Sequence, residues 1–163
     1  CVVVLDYDTL EVVESAHAVV KAVMPYVAGF LGYREGPAIV EAFNKLKKKP
    51  DVLLCDFNGI LHPRLFGAAS HVGLMLNVPT VGVAKSLSFG SIMGEKIVVG
   101  TKQVGTKVVT REYSRPIYVS PGHKISLKSA VEIVKKCLNY PHKLPEPIHY
   151  AHKYAKKLQK EEE

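Results

Sequence analysis

The chain has 163 residues, 47% hydrophobic and 23% charged, which suits one globular domain with a continuous core and calls for no second one. Lysine and arginine number 22 against 15 acidic residues, and the net charge of +7 makes nucleic acid the first partner to weigh, against a basic protein that binds nothing anionic. Cys1, Cys55 and Cys137 are widely spaced with no CxxC pair, and no apolar run nears the roughly 20 residues of a bilayer span, which excludes zinc sites, disulfide frameworks and helical membrane anchors and predicts a reducing, cytoplasmic setting.

Cys1 to Leu5 and the valine-rich Leu10 to Met24 flank the turn Asp6-Tyr7-Asp8 and predict an antiparallel hairpin. Arg34 to Lys49 sets Ile39, Val40, Phe43 and Leu46 at helical spacing, with Lys47, Lys48 and Lys49 gathered where cations suit the helix dipole. Asp51 to Asp56 reads as a short buried strand, Leu65 to Leu76 as a helix and Pro79 to Ala84 as a second buried strand, together a βαβ unit with parallel strands. Lys96 to Thr110 predicts another hairpin, turning at Gly105, and Pro116 to Ser120 one more strand. Leu127 to Leu138 is helical with Val131, Val134 and Leu138 on its apolar face. A lysine-rich helix from Ile148 to Lys160 closes the chain, with Glu161 to Glu163 frayed. The sum is a mixed α/β domain with helices covering a sheet.

In such a sheet the carboxyl ends of the parallel strands are where sites form. Asp56 ends one of these strands in CDFNG, and Lys85 ends its neighbour in GVAKS, so a carboxylate and a cation meet at one edge. His123, in PGHKIS, follows the third short strand and is expected at the same edge, and Glu35 opens the first helix. Alone, Asp56 is a capping or turn aspartate, Glu35 a favourable charge at a helix start and His123 an ordinary surface or packed imidazole. Together, two carboxylates and a histidine suit a hard divalent cation such as magnesium, which activates water and neutralises a phosphodiester. On a basic protein this set points to a nuclease.

The stretches PYVAGFLGYREGP, CDFNGILHPRLFGAASHVGLMLNVPTVGVAKS and PIYVSPGHKIS, in that order and followed by LPEP, resemble the endonuclease V family from about Val2 to Tyr154. The resemblance implies an RNase H-like fold and a monomeric, magnesium- or manganese-dependent nuclease cutting DNA 3′ to deoxyinosine, with inosine in RNA as a further substrate of some members. It assigns Glu35 and Asp56 as metal-binding carboxylates, His123 as the histidine beside the metal, Lys85 as the lysine near the scissile phosphate and Arg34 as a phosphate contact. Pro25, Tyr26, Val27 and Ala28 match the family's wedge, whose tyrosine fills the gap left by an extruded base. Gly29, Leu31, Gly59 and His62 fall in its hypoxanthine pocket.

Three departures stand out. Phe57 replaces a glycine of the family's Asp-Gly-x-Gly at the pocket wall, and Ala28 replaces the second wedge proline. The family's first strand carries a Gly-Val-Asp motif with a further metal-binding aspartate, and this chain starts after it, so an incomplete sheet, weak metal binding and slow or no cleavage by these 163 residues are expected. Asp6 and Asp8 belong to the following turn and do not replace that aspartate. The alternative to an enzyme is a module that recognises inosine without cutting.

Overall fold

The computed structural model describes residues 1–162. Val2, Val3 and Val4 are buried in β1 (Val2–Leu5), which pairs antiparallel with β2 (Val12–Ala16). Asp6 Oδ1 accepts from the amides of Asp8 and Thr9 at 3.0 and 2.9 Å, so the aspartate builds the turn. β2 ends well before Met24, because Ala16 already pairs with Val2 at the far end of β1 and the ladder has no further partner to offer. Residues 17–30 therefore form an irregular loop.

Helix α1 (Leu31–Lys45) begins three residues before Arg34 and buries Gly32, Gly36, Ala42 and Phe43. It stops ahead of the lysine run, whose members serve its end. Lys49 Nζ donates to the carbonyls of Phe43 and Asn44 at 2.6 and 3.1 Å, and the Lys47 and Lys48 amides both bond the Glu14 carboxylate at 2.8 Å.

The predicted βαβ unit is present: β3 (Leu53–Cys55) and β4 (Thr80–Ala84) are parallel and connect through α2 (Ala68–Leu76). They lie at one side of a six-stranded sheet of order β3-β4-β8-β7-β6-β5. The remaining strands are β5 (Ser91–Met93), which sequence reading missed, β6 (Lys96–Val99), β7 (Lys102–Val108) and β8 (Ile117–His123). The β6–β7 hairpin turns at Gly100, with φ +59°, and not at Gly105. Gly105 lies inside β7, where a Cβ would come within 2.9 Å of the Val119 carbonyl, so this glycine marks a close backbone approach.

The third short strand is longer than Pro116 to Ser120. β8 runs through Pro121 to His123, and a register shift between Thr80 and Val81 accommodates the proline. Its direction matters more than its length: β8 is antiparallel to β4. Helix α3 (Leu127–Lys136) is capped by Ser126 Oγ, which accepts from the Ser129 amide at 3.0 Å, and it buries Ala130 and Val134. α4 (Glu146–Glu162) takes in Glu161 and Glu162, read as frayed; Glu163 lies outside the described residues.

One apolar cluster, with Val2, Val4, Phe43, Leu53 and Val72, joins the hairpin to α1, α2 and β3. A second, with Val81, Val83, Ile117, Val119, Val134 and Ile148, seats α3 and α4 on the sheet. α4 packs across both β1 and β3, which brings the far end of the chain over the carboxyl end of β3. Among the described residues no helix is long and apolar enough to cross a membrane.

Candidate active site

Asp56 follows the last residue of β3 and Lys85 the last residue of β4, so the parallel pairing delivers both to one sheet edge. Lys85 Nζ donates to Asp56 Oδ2 at 2.7 Å. A second donor meets the same oxygen: His152 Nε2, from α4, also lies 2.7 Å from Asp56 Oδ2. A carboxylate accepts only, so this nitrogen carries the ring proton. Both bonds fall on Oδ2, and Oδ1 has no protein partner among the described residues. The three side chains are 27, 47 and 39% exposed for Asp56, Lys85 and His152, and so remain open to a ligand.

Glu35 of α1 faces the same cavity, a space of about 1100 Å³ lined also by Arg34, Asp56, Phe57 and His152. Burial raises its carboxyl above the ordinary range; Arg34 opposes this and the negative charge of Asp56 adds to it. Glu35 thus stands half-buried beside Asp56, whose Oδ2 is met by Lys85 and His152.

His123 does not join them. It pairs with Thr80 at the start of β4, while Lys85 lies past its end, roughly 16 Å further along at 3.3 Å per residue. An antiparallel strand carries its carboxyl end to the opposite edge of the sheet, and the expected placement assumed the other direction. His123 packs there beside Gly73 and Thr80, with Nε2 buried and unpartnered.

The loop before α1 is open at its tip: Tyr26 is 71% exposed, and Pro25, Val27 and Ala28 are exposed with it. Two arginines hold its two sides. Arg34 Nη1 donates to the Met24 carbonyl at 2.5 Å, immediately before Pro25. Arg64 Nη2 donates to the Gly29 carbonyl, immediately after Ala28, and its guanidinium lies 4.5 Å from the centre of the Phe30 ring. Arg34, assigned by resemblance to a phosphate, thus spends one donor on its own loop, and Arg64 was not singled out at all. Gly29 has φ +81°, a left-handed conformation that glycine takes without strain, and the loop there lies against the His62 imidazole. His62 accepts from the Arg64 amide at Nδ1, 3.2 Å away; burial and then the Arg64 charge hold its pKa below the usual histidine value. Leu31, at the start of α1, is half-buried beside them.

Two further pocket assignments look different in space. Gly59 is buried, its amide donating to Ser120 Oγ at 2.9 Å. Phe57 turns toward the hairpin and packs on the cluster of Val2, Val4 and Leu53.

The family model for Endonuclease V matches residues 1–153. The chain belongs to the Endonuclease V family. The Endonuclease V of Dictyoglomus thermophilum is 43% identical over 164 residues, covering 96% of this chain and 72% of that one. The solved Endonuclease V of Bacillus subtilis superposes with a TM-score of 0.90 at 34% identity, covering 97% of this chain and 71% of that one. A Ciona intestinalis Endonuclease V variant, solved in complex with a 23mer DNA containing an inosine followed by a ribo-adenosine, gives a TM-score of 0.88 at 34% identity, over 99% of this chain and 78% of that one. The fold is RNase H-like, and the family is one of nucleases.

Endonuclease V nucleases depend on a metal ion, and the donor chemistry here suits a hard cation. Asp56 and Glu35 offer carboxylate oxygens to one cavity, Oδ1 of Asp56 is unengaged, and burial, more than its neighbours' charges, raises the Glu35 carboxyl, so that a cation beside it would favour the charged form. Among the described residues no three of His, Cys, Asp and Glu gather into a closed cage. An ion held by two carboxylates completes its shell with water and substrate phosphate.

Proposed function

We propose that the chain is a magnesium-dependent endonuclease acting on DNA that carries deoxyinosine and cutting the strand on its 3′ side. The observation that carries this reading is the convergence of Lys85 and His152 on Asp56 Oδ2 beside Glu35, in a family whose Ciona member is solved on inosine-containing DNA. Asp56 and Glu35 would hold magnesium, which supplies charge neutralisation at the phosphodiester and a more acidic water. Lys85, half-exposed, offers its ammonium to the phosphate while Asp56 fixes where it points. His152 holds its proton against Asp56 and orients the carboxylate, as outer hydrogen-bond partners do for metal ligands.

Exchange of His152 for alanine is expected to lower cleavage by about 10- to 100-fold. His123→Ala, at the other sheet edge, leaves the rate within about twofold and is read in thermal stability instead, because that ring is packed. Single-turnover cleavage of the two variants distinguishes them.

Tyr26 is the exposed ring poised to stack where a base has been turned out. Tyr26→Ala should weaken binding of a deoxyinosine strand by about 1–3 kcal/mol, the worth of one base stacked on an aromatic ring, with no loss of Tm. Fluorescence anisotropy with EDTA present, to suppress cutting, measures it.

A second reading, lesion recognition without cleavage, is favoured by the two-carboxylate donor set. Binding of deoxyinosine and control oligonucleotides with and without magnesium, with the products run on a gel, separates the two. Lesion-selective binding with magnesium-dependent product supports the nuclease; the same binding without product supports recognition alone.

A further inference from the structure

Next to the Asp56 centre lies a second cavity, of about 400 Å³, which none of the roles above uses. Four elements supply three cationic side chains and an imidazole to it. Lys85 reaches it from the end of β4, Arg111 from the β7–β8 connection, Lys143 from the α3–α4 connection and His149 from α4. No acidic residue lines it. Among the described residues neither Arg111 nor Lys143 has a carboxylate within ion-pair distance, so the pocket gathers positive charge that the protein leaves unneutralised. Arg111 and Lys143, left without a carboxylate beside Lys85, suit an anionic ligand.

The cavity is also held in shape. Arg111 Nη1 donates to the Pro141 carbonyl at 3.1 Å, which anchors the guanidinium and leaves its other donors to serve as a fork. Glu146 is almost wholly buried, at 2% exposure, and its carboxylate lies 2.6 Å from His142 Nδ1. The His142 ring stacks on that of His149, with centroids 3.6 Å apart and planes at 16°. Glu146 thus spends its charge behind the pocket, on His142, and fixes through it the ring that faces the cavity. Burial, and next the neighbouring His142, hold the pKa of His149 below its usual value. An anion in the pocket would reverse that.

Resting on the nuclease reading, we infer that Arg111, Lys143 and His149 form a phosphate subsite for the nucleic-acid strand, binding the phosphodiester adjacent to the one that Lys85 meets at Asp56. Lys85 is the shared wall: its ammonium touches Asp56 on one side and lines the subsite on the other. A strand crossing the sheet edge would present successive phosphates to the two places, and holding the second fixes the register of the first. Arginine suits this task, because its planar fork grips phosphate by two bonds.

The test uses the 163-residue chain, EDTA and a labelled single strand carrying one deoxyinosine, in which each phosphate near the cut is replaced in turn by an uncharged methylphosphonate. For the wild type, one position next to the scissile phosphate should cost about five- to tenfold in affinity. Arg111→Ala with Lys143→Ala should lower affinity for the native strand about tenfold and reduce the salt slope by about 0.7 per lost phosphate contact. In that variant the same methylphosphonate should cost nothing more, since the partners are already gone, whereas losses at other positions still add. In cleavage with magnesium, KM rises while kcat holds. Lys128→Ala, an exposed lysine on α3, should change neither. Wild-type affinity in the double variant, or losses that add at every position, would overturn the subsite while leaving the nuclease reading intact. A wild-type chain that neither binds nor cuts the deoxyinosine strand would overturn both.

Discussion

Asp56→Ala is expected to lower strand cleavage by at least about a thousandfold, well beyond the 10- to 100-fold that removal of an orienting partner costs. The size follows from how many roles converge on one carboxylate. Asp56 is one of two carboxylates offered to the cavity, and its Oδ2 is the anchor of both Lys85 and His152 at 2.7 Å. On the proposed reading its loss removes an oxygen that would hold the metal and frees the lysine meant for the phosphate, and it leaves His152 with no acceptor. Asp56→Asn keeps the shape and one acceptor oxygen but not the charge, and should recover little of the rate. Because all three groups are partly exposed, neither variant should move Tm by more than a few degrees. Single-turnover cleavage alongside thermal unfolding therefore separates lost chemistry from lost fold.

Gly59→Ala is expected to behave in the opposite way, losing the fold first. A Cβ at Gly59 would stand 2.0 Å from the Pro121 carbonyl oxygen and 2.5 Å from its carbon, and neither can move without displacing β8. The same turn is tied down on all sides. Gly59 N donates to Ser120 Oγ at 2.9 Å, Ile60 N to the Pro121 carbonyl at 2.8 Å, and Gly67 N to the Gly59 carbonyl at 2.8 Å. Making room for one methyl group strains or breaks these buried bonds, a cost of about 3 kcal/mol or more by the usual scale of overpacking and lost hydrogen bonds. Gly36→Ala is the matched control: it is helical, its Cβ would lie 3.6 Å from Met75 Sδ, and it should be neutral or slightly stabilising. Urea unfolding of both variants gives the comparison. Gly59, placed by resemblance in the base pocket, thus owes its identity first to a backbone approach.

Much of this geometry could be read from the chain. Asp56 and Lys85 each end an apolar strand, and the helix between those strands requires them to be parallel, so their meeting follows from short-range pattern alone. Glu35 was within reach because the helical spacing that follows it marks it as part of the first helix. His152 was not. It lies 96 residues from Asp56, in a helix that reads as solvated and lysine-rich, and only the packing of α4 across β3 brings it to the site. The histidines of HYAHKY, three residues apart and so on one helix face, were the available signal. His123 was misplaced because a strand's direction is decided by long-range pairing: β8 joins β4 and β7 antiparallel, and nothing local to PGHKIS reveals it. Pro121 and Gly122 also read as the end of a strand that in fact continues through them. The Arg34 and Arg64 clamps on the loop before α1 were illegible for a similar reason, since their acceptors are backbone carbonyls, which carry no sequence signature.

The proposed nuclease is expected to cut beside deoxyinosine at the Asp56 and Glu35 centre when magnesium is present. A 5′-labelled strand containing a single deoxyinosine, incubated with the chain and magnesium and resolved on a sequencing gel beside an adenosine control, tests it most directly. One magnesium-dependent product ending on the 3′ side of the lesion is expected, absent from the control strand and from Asp56→Ala. Cutting that ignores the lesion, or that survives in Asp56→Ala, would contradict it.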